Sequence, residues 1–239
     1  MSNSAVTAGT VTVPAPSHHP LQVLRDFTEC RTLFMCCDMQ EKLANRIPGF
    51  HETIHVTNNL TLFCEILGPK HCSCVATVQY PDGVGPLYHE ILLPPNTPVF
   101  PKIEPSMLLP EVLPYLYGDA ERGLLPVQQV VLWGHETHVC ILQTADELLR
   151  RGFRVTVVTD ACAAQRRVDH EVAIMEMSRW EGLLLTASTS LYLQIMREHP
   201  RYLAPVMKVV LDRTGMFKRP YQRSEDPTLT PAEREVQDE

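Results

Sequence analysis

"VQQVVLWGHETHVCILQTADELLRRGFRVTVVT", residues 127–159, decides the fold. An apolar run at 127–133 gives way to a segment of helical period at 138–151, and Gly152 stands where a C-terminal cap is wanted. A second apolar run, 153–159, follows at once. Strand, helix and strand in that order are the unit of a parallel sheet, and near-continuous apolar runs are what strands covered on both faces require.

The same alternation extends outward in both directions. Strands are predicted at 31–37, 72–78, 97–100 and 182–187, and helices at 52–67 before Gly68 and at 168–181 before Gly182. Pro110 and Pro114 interrupt 106–118, which weakens a helix there. The expected architecture is α/β: a doubly wound, mostly parallel six-stranded sheet with helices on both faces, in three Rossmann-like layers. It occupies 24–212. An arm at 1–23, free of Asp, Glu, Lys and Arg, precedes it, and a polar, proline-punctuated tail at 213–239 follows; both are expected to be flexible.

A chain of 239 residues, 44% hydrophobic, is long enough for one large core and short for two. With 21 Lys+Arg against 28 Asp+Glu, its net charge of -7 repels a phosphate backbone unless a local patch reverses the sign. Arg150, Arg151, Arg154, Arg166 and Arg167 form the one candidate patch. The eight cysteines follow neither zinc spacing nor a secreted disulfide framework, which points to free thiols in an intracellular compartment, the cytoplasm first and the mitochondrion second. No run is long enough for a membrane span, and no arginine precedes Arg25 to make a presequence.

Ligands of such sheets bind outside the carboxyl ends of the strands. Three chemically capable residues are predicted there. Asp38 ends "FMCCD", Lys102 follows a short strand in "TPVFPKIEP", and Cys140 lies in "GHETHVC", where a cap by Thr137 places it in the first helical turn. Ile141, Leu142, Ala145, Leu148 and Leu149 mark the core stripe of that helix, and at about 100° per residue Cys140 points about 140° away from its centre. A thiol off the packing face, a carboxylate to take its proton and a cation to balance charge meet the needs of nucleophilic catalysis.

The stretches "LFMCCDMQEKL", "TVQYPDGVGP", "FPKIEPSML", "GHETHVCILQTADELLRRGFRVTVVTDAC" and "LLLTASTSLYLQIM" resemble the isochorismatase-like hydrolases, especially the isochorismatase-domain-containing branch, over most of 31–196. The resemblance implies an Asp38, Lys102, Cys140 triad, a cis peptide bond at His135–Glu136, and an oxyanion hole made by the backbone N–H groups of Glu136 and Cys140. It further implies attack of Cys140 on the carbonyl of a small amide or related acyl compound, a thioester-type intermediate, and homo-oligomers. "QYPDGVGP" stands where nicotinamidases of this superfamily carry a metal-binding D-x-H-x-x-H, so neither a catalytic metal nor nicotinamide is expected. Relatives that cleave a vinyl ether can lack the cysteine, whose presence here favours acyl chemistry.

Other signals compete. "HETIH", His51 to His55, matches the zinc-protease pattern but lacks a third ligand in a common position. His135 and His138, with the arginine patch, offer a ribonuclease-like alternative, and a binding or assembly protein that has lost turnover offers another. Met39, Gln40, Tyr80, Trp133, His135 and His138 are candidate pocket residues, and the chain has no nucleotide-cofactor signature.

Overall fold

Every residue of β1 (Thr32–Cys37) is buried, so both of its faces are covered and it lies inside a sheet. The structure, a computed structural model, describes residues 24–27, 30–197 and 199–214. The expected arm at 1–23 and most of the expected tail lie outside the described residues. The remaining strands are β2 (Cys72–Gln79), β3 (Val99–Lys102), β4 (Gln129–His135), β5 (Arg154–Ala163) and β6 (Leu183–Thr186). They assemble in the order β3-β2-β1-β4-β5-β6. Each neighbouring pair is parallel, which makes the sheet wholly parallel.

The helices are α1 (Phe50–Leu67), α2 (Pro81–Val84), α3 (Leu113–Tyr117), α4 (Leu142–Arg150), α5 (Arg167–Met177), α6 (Ser188–Met196) and α7 (Pro200–Arg213). Right-handed crossovers fix their layers. The chain steps from β1 to β2 in one direction and from β4 through β5 to β6 in the other, which puts α1 on one face and α4 and α5 on the opposite face. α6 and α7 return to pack with α1.

Several boundaries differ from expectation. The edge strand falls at Val99–Lys102 instead of 97–100, so Lys102 belongs to the strand and pairs with Gln79. β5 runs on to Ala163 past a register shift between Leu132 and Gly134. α5 stops at Met177, four residues before 181. In the proline-interrupted region only α3 forms, with Pro114 in its first turn, where a missing N–H costs nothing. Thr137 caps no helix: its hydroxyl donates to the carbonyl of Ala163, and a π-helical turn, Thr137–Ile141, leads into α4.

The chain leaves the sheet in opposite directions from β1 and β4, and a crevice opens between their carboxyl ends. Gly134 makes the close approach there feasible. Its φ is +128°, and a Cβ at this position would lie 2.0 Å from the carbonyl oxygen of Cys37. No helix of the described residues is long and apolar enough to cross a membrane. Cys36, Cys37, Cys64, Cys72, Cys74, Cys140 and Cys162 are free thiols in the interior.

Candidate active site

Asp38 follows β1 directly, in the left-handed region at φ 49°, a conformation aspartate tolerates better than most side chains. Its N–H donates to the carbonyl of Thr77 at 3.1 Å, and the Thr77 hydroxyl donates to its Oδ1 at 2.8 Å. Oδ2 faces Lys102 Nζ at 2.6 Å, a buried ion pair. The Cys37 thiol donates to the same oxygen at 3.4 Å.

Lys102, the last residue of β3, reaches across the end of β2. Its ammonium donates to Gln79 Oε1 at 2.5 Å and to the carbonyls of Pro105 at 2.9 Å and Glu104 at 3.2 Å, and it lies 3.4 Å from Cys140 Sγ. Burial favours the neutral amine, but the Asp38 carboxylate, and the neighbouring thiols when ionised, outweigh it and hold the Lys102 pKa above the ordinary lysine value. Lys102 is thereby favoured as the ammonium.

Cys140 sits in the π-helical turn after β4, 6% exposed, and lines a pocket of about 330 Å³ at the strand ends. Asp38, Gln40, Gln79, His135 and Glu136 share that pocket. The His135–Glu136 peptide bond is cis. The Glu136 carboxylate is held by Gln165, another lining residue, whose N–H and Nε2 each donate at 2.7 Å. Cys37 is a different kind of thiol: burial first, then its contact with Cys140, push its pKa well above the ordinary value, so it stays protonated.

The candidate pocket residues divide. Gln40 is fully buried and acts as a brace, with Nε2 donating to the carbonyls of Gln79 at 2.9 Å and Gly85 at 2.6 Å while Oε1 accepts from Gln79 N–H at 2.8 Å. His135 lines the pocket with its ring against Phe50 and Nε2 3.0 Å from Thr53 Oγ1, and burial pulls its pKa down to about 3. Met39 and Trp133, by contrast, are core residues, both meeting the hydroxyl of Thr57. Tyr80 is 53% exposed and outside the lining. His138 points away to Asp169, 4.0 Å distant. Gln79 was missed: a glutamine ending a strand carries no mark in sequence, yet it touches Lys102 and lies 3.9 Å from Cys140.

Among the described residues the one group of three metal-type donors is Cys37, Asp38 and Cys140, whose ligand atoms lie within 4.8 Å of one another. The Lys102 ammonium already supplies positive charge there. His51 and His55 of "HETIH" are exposed on α1, and His55 meets the carbonyl of Arg213 at 2.6 Å.

Four of the five arginines of the patch are matched by carboxylates. Arg150 pairs with Asp146 at 2.9 Å, Arg151 with Glu147 at 2.6 Å, Arg166 with Asp169 at 3.6 Å and Arg167 with Glu171 at 2.5 Å.

Comparisons with known proteins agree with this fold. The isochorismatase domain model matches residues 32–189, which hold all three of Asp38, Lys102 and Cys140. Isochorismatase domain-containing protein 1 of Salmo salar is 35% identical over 209 residues, covering 85% of this chain and 70% of its own. Among solved structures, a hypothetical protein from Trypanosoma cruzi superposes with a TM-score of 0.72 at 38% identity, covering 78% of this chain and 96% of its own. The MAR1 ribonuclease from Caenorhabditis elegans superposes with a TM-score of 0.67 at 32% identity, covering 81% and 97%. With its parallel sheet in this order and the family's sequence pattern across 32–189, the chain belongs to the isochorismatase domain family of isochorismatase-like hydrolases.

Proposed function

We propose that the protein hydrolyses a small amide or related acyl compound with Cys140 as nucleophile, Asp38 as proton acceptor and donor, and Lys102 as fixed cation. The observation that carries this reading is the buried Lys102 ammonium, 2.6 Å from Asp38 Oδ2 and 3.4 Å from Cys140 Sγ, the last two of which line a pocket open to a ligand. Asp38 takes the Cys140 proton, and Sγ forms a bond to the substrate carbonyl carbon. The backbone N–H groups of Glu136 and Cys140 hold the resulting oxyanion. Collapse breaks the C–N bond, Asp38 returns its proton to the departing amine, and a thioester remains. Water, deprotonated by the same carboxylate, adds to the thioester, releasing the acid and restoring the thiol. Lys102 offsets the negative charge that moves between carboxylate and sulfur, so no metal is required.

The test is ammonia or amine release from a panel of small amides, with Cys140→Ala beside the wild type. Turnover that disappears in the folded variant supports the reading; a variant as active as wild type overturns it. A ligand that binds without turnover would instead favour the binding-protein alternative.

A second reading is ribonuclease activity, favoured by the name of the Caenorhabditis elegans relative. His135 held neutral and four of the arginines matched to carboxylates count against it. RNA cleavage that survives Cys140→Ala but not His138→Ala would establish it.

Self-association belongs to the same proposal. Val168, Val172 and Met175 form an exposed apolar stripe on α5, and sedimentation of the wild type against Val172→Glu measures its effect. Free buried thiols suit a reducing, intracellular compartment.

A further inference from the structure

One short segment, residues 40–46, contributes four residues to the pocket lining, and two of them are cations. Lys42 and Arg46 both line the pocket there, with Leu43 between them. Their charges are not spent alike. The Lys42 ammonium donates to the carbonyl of Gly83 at 2.8 Å, which ties the segment to α2 and leaves its charge without a counter-ion. The Arg46 guanidinium has no hydrogen bond, ion pair or ring contact among the described residues.

The anions in the same pocket are already engaged. Asp38 is matched by Lys102, and both carboxylate oxygens of Glu136 accept from Gln165. Val84, Pro105 and Val139 supply apolar wall. A ligand that fills the cavity therefore meets the Cys140 thiol, apolar wall, and two solvent-exposed cations that no carboxylate among the described residues balances. A guanidinium offers a planar fork of donors that fits a carboxylate in particular.

We infer that the pocket selects amides or acyl compounds bearing a carboxylate remote from the scissile carbonyl, with Arg46 as its main partner and Lys42 as support. This rests on the proposed function only in taking Cys140 as the reacting end of the pocket. The net charge of -7 sharpens the point, because a chain that repels anions overall needs a local cation to admit one.

The test does not require turnover. Iodoacetamide labelling of Cys140 is followed by mass spectrometry while either succinamate or butyramide is titrated in as protectant. The two are matched in chain length and differ in ending in a carboxylate or a methyl group. Succinamate is expected to protect at a concentration at least about tenfold lower, a difference of about 1.4 kcal/mol, and Arg46→Gln is expected to erase the difference. Equal protection by the two compounds in wild type overturns the inference, as does a preference that survives Arg46→Gln. If no amide is hydrolysed yet the Arg46-dependent preference holds, the proposed reaction fails and the carboxylate site stands. If amides are hydrolysed without that preference, the reverse is true.

Discussion

Thr77 holds Asp38 at two points, accepting its N–H at 3.1 Å and donating a hydroxyl to Oδ1 at 2.8 Å. One oxygen of the carboxylate is thereby fixed, and the other faces Lys102 and the Cys37 thiol. Thr77→Val should lower kcat while moving KM little, by roughly tenfold if about 1.5 kcal/mol of charged hydrogen bonding is lost. Thr77→Ser should restore the rate. Steady-state kinetics of the three proteins decide it.

Lys102→Met should remove turnover and also weaken the fold. Asp38 would be left as an unpaired buried charge, a change that costs about 3–5 kcal/mol. Adding Asp38→Asn to that variant should recover much of the stability and none of the activity. Urea unfolding of the single and double variants, set beside their rates, separates the two effects.

His135 makes stability depend on pH. Its pKa is pulled down to about 3 by burial, against about 6.5 in an unfolded chain. The unfolded state therefore binds the proton first, and stability that is full above about pH 6.5 falls as the pH drops from there towards 3, then levels off. Between pH 7 and 5 the loss should be about 2 kcal/mol from this residue alone. Urea unfolding at the two pH values should show that slope, and His135→Gln should flatten it.

Gly134→Ala should be among the most damaging changes in the chain. It combines a positive φ with a Cβ driven into the Cys37 carbonyl, so the two costs together reach roughly 2–6 kcal/mol. Thermal unfolding of the variant, or its failure to accumulate folded, checks this.

The strands were legible because a fully covered parallel sheet writes each one as an apolar run, and Gly68 and Gly152 mark the ends of α1 and α4, whereas Gly182 stands five residues past the end of α5. That same burial hid which way residues point. Where both faces are covered, alternation carries no information, so Met39 and Trp133 read as pocket residues although they fill the core. Thr137 looked like a cap because only its neighbours in sequence were visible; its hydroxyl is used by Ala163 and lies 2.9 Å from His170 Nδ1, both distant in the chain. Gln79 escaped notice for a related reason: its importance comes from Lys102, 23 positions away, and nothing in "TVQYPDG" announces that partner.

Lys102 comes from β3, which has a neighbour on one side only and is four residues long. Asp38 and Cys140 flank inner strands held from both sides. Fraying of that border therefore withdraws the ammonium before the rest of the sheet loosens. The proposed reaction centre is tied to an edge of the sheet, so loss of activity on mild heating or in dilute denaturant should run ahead of global unfolding.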